Sequence, residues 1–393
     1  MKALTWHGLE DVRVTDVPDP VITDTTDAVV RVTSTAICGS DLHLYGVLAP
    51  YLQPGDVLGH EFMGIVEEVG PDVATLAVGD RVVVPFNISC GRCWMCQRGL
   101  FAQCETTQNT RTGKGASLFG YTSLYGSVPG GQAEYVRVPH ADFGPIVVPD
   151  EMPDERFLYL SDILPTAWQA VDYADVNGND TLVVLGLGPV GQLAVRSALH
   201  RGVGRVIGVD LVADRIETAR ASGAEVLDAS DTDVATAVLE LTEGRGADGV
   251  IDAVGMEAHG NPVSEKVIGA ASRLPKPVAR QAVERFGIDR LAALHTAIAA
   301  VRRGGTLSIS GVYGGMADPM PMMELFDKGL TVRMGQCHVR RWSDELLDIV
   351  RGDADVLGLE GLATHHGNLS DAPDYYRIFQ EKQDECLKVV LTP

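Results

Sequence analysis

Residues 181–210 read TLVVLGLGPVGQLAVRSALHRGVGRVIGVD, and this stretch decides the fold of the second half of the chain. The apolar run Thr181–Leu185 predicts a buried strand, Val190–His200 predicts a helix, and Arg205–Val209 predicts a second strand. Parallel strands need a crossover connection of this kind, usually a helix. The stretch therefore predicts an α/β domain with a doubly wound parallel sheet.

Three glycines stand between the first strand and the helix. Gly186, Gly188 and Gly191 fit the pattern G-x-G-x-x-G, which allows a tight turn, a close approach to a pyrophosphate and close packing of helix on strand. Asp210 follows at the end of the second strand, where a carboxylate accepts hydrogen bonds from ribose hydroxyls and repels a 2′-phosphate. The pattern therefore favours NAD over NADP, although Asp210 could simply end the strand. Pro189, Val190 and Arg215 complete this set of expected cofactor-binding residues.

The alternation of strands and helices continues downstream. The predicted elements are helix Ala213–Ser222, strand Gly249–Ala253, helix Leu291–Arg302 and strand Thr306–Ile309. Met256–Gly287 fits this alternation least well and is interpreted as an insertion. From about Gly335 the rhythm is lost, and the strand-like Leu387–Leu391 is expected to return to the first domain.

The first 150 residues have a different texture. Short β-branched runs separated by Gly, Pro and Asp predict an antiparallel, loop-rich β domain. These runs are Ala28–Val32, Ile65–Val69, Arg81–Val84 and Glu134–Val138, and Thr107–Gly131 is predicted to be a long loop. We place the boundary near Leu164, which gives domains over residues 1–163 and 164–334, with residues 335–393 returning to the first domain.

The overall composition limits the partners and the location. The 53 Asp and Glu residues outnumber the 32 Lys and Arg residues and give a formal net charge of −21, which argues against nucleic acid as a partner. Met1–Val17 lacks the apolar run of a signal peptide, and no uncharged apolar stretch is long enough to span a membrane. We therefore expect a cytoplasmic protein without a membrane segment.

Four of the seven cysteines crowd into residues 90–104. Cys90, Cys93, Cys96 and Cys104 are spaced C-x2-C-x2-C-x7-C, a pattern that lets four thiolates close around one structural zinc ion. An iron–sulfur cluster and disulfides are the competing interpretations. The seven-residue gap followed by Glu105 differs from the bacterial ferredoxin pattern, and an unexported chain with an odd number of cysteines disfavours disulfides.

Two further motifs lie in the first domain. Cys38-Gly-Ser-Asp-Leu-His43 and Gly59-His60-Glu61, taken with the cysteine cluster and the glycine pattern, resemble the zinc-dependent medium-chain alcohol dehydrogenases. The resemblance covers essentially the whole chain, up to Leu387-Lys388-Val389-Val390. It implies a GroES-like β-rich catalytic domain, a Rossmann coenzyme domain, an alcohol or aldehyde as substrate, two zinc ions and NAD. It also implies a homodimer or a homotetramer.

The resemblance implies a catalytic zinc ion bound by Cys38 and His60. The third ligand departs from the commonest pattern, because Leu160–Thr166 resembles the glutathione-independent formaldehyde dehydrogenase branch, in which Asp replaces Cys or Glu. This gives Asp162 as the third ligand and leaves the fourth position for water or a substrate oxygen. The alternatives are a small buried Cys38, a core His60 and a helix-capping Asp162.

The same resemblance assigns roles around this zinc ion. Ser40 takes the proton of the substrate hydroxyl, and His43 relays it to solvent through the cofactor ribose. Asp41 orients the imidazole of His60, and Glu61 lies behind the metal. Each could instead be an ordinary loop or surface residue.

Further expectations concern the pocket and the cofactor. Phe86 resembles a substrate-pocket aromatic, and Lys388 resembles a cation near the pyrophosphate, although a core Phe and a solvated Lys are the alternatives. Cys337 and His338 could line the pocket or simply pack. The expected reaction is hydride transfer between NAD and an alcohol or aldehyde. The competing hypotheses are a dismutase that retains NAD, with residues 256–287 as a clamp, and a non-catalytic binding protein.

Overall fold

The computed structural model describes residues 1–255, 291–313 and 320–393. It divides into two units, of which unit 1 comprises Met1–Pro165 and Cys337–Pro393 and unit 2 comprises Thr166–Gln336. The predicted insertion Met256–Gly287 lies outside the described residues. Within the described ranges, no helix has both the length and the apolar character needed to cross a membrane.

The described residues form strands, α-helices and short 3-10 helices. The strands, in chain order, are β1 (Lys2–Gly8), β2 (Asp11–Asp16), β3 (Ala28–Ile37), β4 (Glu61–Val69), β5 (Arg81–Val84), β6 (Tyr135–Val138), β7 (Ile146–Val147), β8 (Thr181–Leu185), β9 (Arg205–Asp210), β10 (Glu225–Asp228), β11 (Ala247–Asp252), β12 (Val301–Ile309), β13 (Thr331–Met334), β14 (His365–Asn368) and β15 (Val389–Thr392). The α-helices are α1 (Gly39–Tyr45), α2 (Glu155–Leu158), α3 (Ile163–Ala174), α4 (Pro189–His200), α5 (Ala213–Ala221), α6 (Val234–Leu241), α7 (Ala292–Ala300), α8 (Met322–Lys328), α9 (Val339–Val350) and α10 (Ala372–Glu381). The 3-10 helices cover Ala49–Tyr51, Cys96–Arg98, Phe101–Gln103, Ser123–Tyr125, Tyr159–Ser161 and Leu369–Asp371.

Unit 1 is built on a seven-stranded sheet. Its strand order is β14-β15-β3-β4-β5-β7, with β6 paired to β3, and β1 and β2 form a separate hairpin. All its pairs are antiparallel except β14 with β15, which run parallel. Val389 pairs with Ile37, and Ala36 pairs with Glu61. This register gathers the ends of β3 and the starts of β4 and β15 at one edge of the sheet.

The core of unit 1 follows from the side-chain alternation of its strands. On one face, alternate apolar residues of β3, β4 and β5 pack with Phe119 and Val136, as the two-residue period of a strand dictates. A second cluster joins Leu4 and Trp6 of β1 to residues of α1 and α10. These two clusters fix the sheet, and with it the edge at which β3, β4 and β15 meet.

Unit 2 contains a parallel sheet of six strands in the order β10-β9-β8-β11-β12-β13. Counted from β8, this is the order 3-2-1-4-5-6 of the doubly wound dinucleotide-binding fold. The predicted α/β fold class, with one β-rich unit and one parallel-sheet unit, is confirmed. The helix predicted to run to Arg302 ends earlier, at Ala300, because Val301 pairs with Ala247 of β11 and so belongs to the sheet.

Candidate metal centre

The four clustered cysteines converge in unit 1. The sulfurs of Cys90, Cys93, Cys96 and Cys104 all lie within 4.8 Å of one another, and all four thiols are free of disulfides. The 3-10 helices Cys96–Arg98 and Phe101–Gln103 turn the chain so that the sulfurs face inward. The Cys93 and Cys104 sulfurs are 3.8 Å apart. Four sulfurs about 2.3 Å from a tetrahedral zinc ion are separated by roughly 3.8 Å, so this donor set fits zinc.

Hydrogen bonds within this lobe lower the pKa of two of its thiols, Cys90 and Cys93, and so favour their thiolate form, whereas burial raises the pKa of Cys96. The Thr106 hydroxyl donates to the Cys90 sulfur at 3.1 Å, and the Cys93 amide donates to the same sulfur at 3.4 Å. Burial raises the pKa of the Cys93 thiol, but the backbone amides of Cys96 and Glu105 outweigh it and lower that pKa to about 6. Thiolates that hydrogen-bond donors stabilise in this way can bind a metal cation without first losing a proton.

A second cluster lies at the edge where β3, β4 and β15 meet. One ligand atom from each of Cys38, His60, Glu61 and Asp162 lies within 4.8 Å of the others, and all four residues are buried. Cys38 follows β3 and caps α1, and His60 directly precedes β4. Asp162 follows the 3-10 helix Tyr159–Ser161. The structure therefore brings Asp162 beside two residues that precede it by more than a hundred positions in the sequence.

The distances in this second cluster also suit a tetrahedral ion. The Asp162 Oδ2 atom lies 3.3 Å from His60 Nε2 and 3.8 Å from the Cys38 sulfur. Zinc bonds of about 2.1 Å to nitrogen and oxygen and about 2.3 Å to sulfur predict separations of roughly 3.4 and 3.6 Å. Burial raises the pKa of the Cys38 thiol to about 11, and a bound divalent cation would reverse that effect. The donor set therefore fits zinc.

His60 is held on its far side by Asp41. Burial lowers the pKa of the His60 imidazole, but the carboxylates of Asp41 and Asp162 outweigh it and raise that pKa well above its ordinary value. His60 Nδ1 lies 3.1 Å from Asp41 Oδ1, and Asp41 Oδ2 accepts a hydrogen bond from the Cys38 amide at 2.9 Å. Asp41 thus links the first turn of α1 to the imidazole.

Lys388 is buried beside Glu61, so the alternative of a solvated surface lysine is wrong. Its side chain is fully buried and its Nζ lies 2.5 Å from Glu61 Oε2, while the role near the cofactor pyrophosphate that the resemblance implies stays a prediction. The pairing arises because β15 lies beside β3, which places Lys388 at the same sheet edge as Glu61. The other oxygen of Glu61, Oε1, has no hydrogen-bond partner among the described residues. Glu61 is therefore a buried carboxylate neutralised on one side.

Ser40 and His43 both lie on α1, directly after Cys38. The Ser40 hydroxyl oxygen is 3.9 Å from the Cys38 sulfur. His43 is buried, with 9% of its surface exposed. Residues three apart share one face of a helix, so Ser40 and His43 lie on the same side of α1.

Two aromatic rings flank the imidazole of His60. The rings of Phe86 and Tyr121 each approach it edge-on, with centroids 6.3 Å away. The Phe86 amide also donates to the Ser161 carbonyl at 2.9 Å, next to Asp162. Tyr121 lies in the segment predicted to be a long loop, and the sequence analysis does not identify it because no local periodicity marks a single loop aromatic.

Cys337 and His338 pack within unit 1. The Asn87 side chain donates to the Cys337 carbonyl at 2.5 Å, and the Ala102 amide donates to His338 Nδ1 at 3.1 Å. Ala102 lies between Cys96 and Cys104 in the four-cysteine lobe. His338 thus holds the backbone of that lobe.

In unit 2 the glycine pattern forms a tight turn between β8 and α4. Gly186 has a φ of +87°, and a Cβ on Gly191 would lie 1.8 Å from the Gly186 carbonyl oxygen, so neither position tolerates a side chain. Gly188 caps α4, and Pro189 and Val190 open it. Backbone amides at such a helix start can bind phosphate.

The carboxylate of Asp210 is part of the same turn. It accepts hydrogen bonds from the amides of Leu187 at 2.6 Å, Leu211 at 2.7 Å and Val212 at 3.0 Å. The Arg215 Nη1 atom would lie 3.8 Å from a Cβ on Gly188. The structure therefore brings Asp210 and Arg215 to the loop that the glycines form.

Comparison with known proteins agrees with this arrangement. Residues 24–150 match the alcohol dehydrogenase GroES-like domain, and residues 189–263 match the zinc-binding dehydrogenase family. The uncharacterized zinc-type alcohol dehydrogenase-like protein AdhB of Bacillus subtilis is 40% identical over 397 residues, covering 100% of both chains. The glutathione-independent formaldehyde dehydrogenase of Pseudomonas aeruginosa is 34% identical over 403 residues, covering 96% of this chain and 94% of the relative.

A solved structure gives the same result. The alcohol dehydrogenase TADH from Thermus sp. ATN1 matches with a TM-score of 0.82 and 32% identity, covering 100% of this chain and 99% of that one. Full-length relatives at this identity, together with the two family matches, show that the protein belongs to the zinc-dependent medium-chain alcohol dehydrogenases, a family of oxidoreductases.

Proposed function

We propose that the protein transfers a hydride between NAD and an alcohol or the hydrate of an aldehyde, with formaldehyde as the first substrate to test. The formaldehyde dehydrogenase of Pseudomonas aeruginosa supports this choice, because it is 34% identical over nearly the whole chain. We further propose a catalytic zinc ion at Cys38, His60 and Asp162 and a structural zinc ion at the four cysteines.

One observation carries the proposal. A thiol, an imidazole and two carboxylates converge within 4.8 Å in a buried site, and the separations among Cys38, His60 and Asp162 suit a tetrahedral metal. The second carboxylate, Glu61, is paired with Lys388, so we take the other three residues as the ligands. Three protein ligands with one open position are typical of catalytic zinc sites, whereas four thiolates are typical of closed structural sites. The two donor sets therefore support different roles for the two ions.

The proposed zinc ion would activate the substrate oxygen, and side chains of the protein would transfer the proton. When bound by Cys38, His60 and Asp162, zinc supplies a Lewis acid that polarises the substrate oxygen. The Ser40 hydroxyl, 3.9 Å from the Cys38 sulfur, accepts the proton that leaves this oxygen. His43, on the same face of α1, receives the proton in turn.

The remaining side chains of the site hold and neutralise it. Asp41 keeps the imidazole of His60 in place. Lys388 balances the charge of Glu61. Phe86 and Tyr121 bound the site with apolar surface, which suits a small substrate.

NAD is the proposed hydride acceptor. The amides at the start of α4 bind its pyrophosphate, and Asp210 binds the adenosine ribose and repels a 2′-phosphate. Arg215 lies beside the second glycine and completes this set. We also propose a cytoplasmic homodimer or homotetramer, in keeping with the resemblance to the family.

The test is metal analysis combined with a cofactor assay. The purified protein should contain two zinc ions per chain, and absorbance at 340 nm should rise when NAD and formaldehyde or a simple alcohol are added. Equal amounts of alcohol and acid formed from an aldehyde without release of NADH would identify a dismutase. One zinc ion and no turnover of any alcohol or aldehyde would overturn the proposal in favour of a binding protein.

A further inference from the structure

We propose that Gln132 and Tyr376 are positioning residues for the metal centre, because a chain of hydrogen bonds from Tyr376 through Gln132 to Asp41 fixes the orientation of His60. This inference rests on the proposed function, since it takes His60 to be a metal ligand. Tyr376, Gln132 and Asp41 have 0% of their surface exposed, and His60 has 3%. Water therefore does not compete for these bonds.

The side-chain amide of Gln132 can face only one way. Its Nε2 atom donates to the Ala36 carbonyl at 3.1 Å and to Asp41 Oδ2 at 3.3 Å. Both of these partners are acceptors, so the NH2 group must face them. The amide oxygen, Oε1, then faces Tyr376, whose hydroxyl donates to it at 2.9 Å. The Ala36 carbonyl and the Tyr376 hydroxyl thus fix the amide from both ends.

These hydrogen bonds determine which oxygen of Asp41 faces the imidazole of His60. Asp41 Oδ2 accepts from Gln132 and from the Cys38 amide, which leaves Oδ1 to face His60 Nδ1 at 3.1 Å. Among the described residues, neither Asp41 Oδ1 nor His60 Nδ1 has a hydrogen-bond partner apart from this contact. Nδ1 therefore carries a proton toward Asp41, and Nε2, which faces Asp162 and the proposed metal position, is the nitrogen that would bind the metal.

Gln132 also contacts the backbone that precedes His60. Gly59 has a φ of +96°, and a Cβ there would lie 2.4 Å from Gln132 Cγ. The backbone amide of Gln132 donates to the Leu58 carbonyl at 3.0 Å. Gln132 therefore restricts the position of the Asp41 carboxylate behind the imidazole. It also restricts the backbone that leads into His60. Neither role is visible in the sequence, because Gln132 is 72 positions from His60 and Tyr376 is 244 from Gln132.

The test compares three variants with a matched control. Gln132→Met keeps the side-chain length but removes the amide, Tyr376→Phe removes one hydroxyl, and the double variant combines them. Tyr375→Phe is the control, since that hydroxyl donates to the His366 carbonyl at 2.9 Å and not to this chain of bonds. The measurements are the rates at which a chelator removes the two zinc ions and the absorption spectrum of Co²⁺ placed in the catalytic site.

We expect Gln132→Met to release the catalytic metal about tenfold faster, the lower end of the effect known for residues that orient metal ligands. Tyr376→Phe should act in the same direction by a smaller factor and add nothing to Gln132→Met, because it acts only through that amide. The Co²⁺ spectrum should shift in both variants. The four-cysteine zinc ion should be released at the parent rate in every protein, and Tyr375→Phe should behave as the parent.

Two results would contradict these expectations in different ways. A parent with two zinc ions whose variants show parent release rates and an unchanged spectrum would overturn this inference and leave the proposed function standing. A parent that holds only the four-cysteine zinc ion would overturn the proposed function and this inference with it. If Gln132→Met does not fold, Tyr376→Phe decides the question, because it removes a single atom.

Discussion

The ammonium of Lys388 lies 2.5 Å from Glu61 Oε2, and neither side chain is exposed to solvent. Burial alone would lower the pKa of Lys388 and raise that of Glu61, and the attraction between them keeps the pKa of Lys388 above its ordinary value. Removing either member of a buried ion pair destabilises the folded state, because the remaining member is then a buried charge without a counter-charge.

Replacing Lys388 with Met should destabilise the protein by about 3–5 kcal/mol, because the Glu61 carboxylate would remain buried without a counter-charge. Urea unfolding measures the change. Lys2→Met is the matched control, since Lys2 pairs with Asp16 at an exposed site, and such pairs contribute about 1 kcal/mol or less. Equal losses in the two variants would contradict the prediction, and Glu61→Leu with Lys388→Met should recover part of the stability.

Replacing Asp162 with Ala should remove the catalytic zinc ion and leave the structural one. The carboxylate lies 3.3 Å from His60 Nε2 and far along the sequence from the four cysteines, so only one of the two sites loses a ligand. The zinc content found by metal analysis should fall from two ions per chain to one, and activity should disappear. Two zinc ions and full activity in this variant would mean that Asp162 is not a ligand.

Asp210→Ala should weaken NAD binding by about tenfold or more, the loss expected when hydrogen bonds to a charged group are removed. NADP should lose much less, because its 2′-phosphate no longer meets a carboxylate. Asp210 also accepts bonds from the amides of Leu187, Leu211 and Val212, so the turn loosens for both cofactors. The ratio of the two dissociation constants is therefore the measurement, and an unchanged ratio would exclude the ribose contact.

His338 should make the protein less stable in mild acid. Burial and the nearby Arg341 lower the pKa of His338 from its ordinary value of 6.5 to about 4. Between pH 6.5 and pH 4, His338 binds a proton in the unfolded state but not in the folded state. The stabilisation that neutral His338 contributes is therefore fully present above pH 6.5 and declines as the pH falls toward 4. Protonation of Nδ1 would also break its bond from the Ala102 amide.

The matched variant for this prediction is His338→Gln, which does not titrate. The difference in unfolding free energy between parent and variant should change by on the order of 2 kcal/mol between pH 7 and pH 4.5. A difference that stays constant over this range would show that His338 is not protonated on unfolding.

The sequence predicts the fold class because the signals are local. Each strand of unit 2 is a short apolar run followed by a helix, and Gly186, Gly188 and Gly191 mark the first turn. The exact end of α7 could not be predicted in this way, since Val301 leaves the helix to pair with a strand that lies more than fifty residues earlier. The insertion at 256–287 stays a prediction outside the described residues.

The candidate site divides in the same way. The resemblance names Cys38, His60 and Asp162, and the structure brings their ligand atoms within 4.8 Å, while their roles stay predictions. The burial of Lys388 could not be predicted, because it follows from the pairing of two strands at opposite ends of the sequence. Gln132 and Tyr376 carry no local signal for the same reason.

The insertion of unit 2 within unit 1 has a consequence for how the protein is made. Strand β15 pairs with β3, and about 350 residues of chain lie between Cys38 and Lys388. Unit 2 is continuous, so a ribosome delivers all of it before β15, one of the three strands that pair with β3, and unit 2 can fold first. Closing such long loops is slow. During synthesis the carboxylate of Glu61 therefore lacks its lysine until the end, and loading of the proposed catalytic zinc ion is expected to be among the last events of maturation.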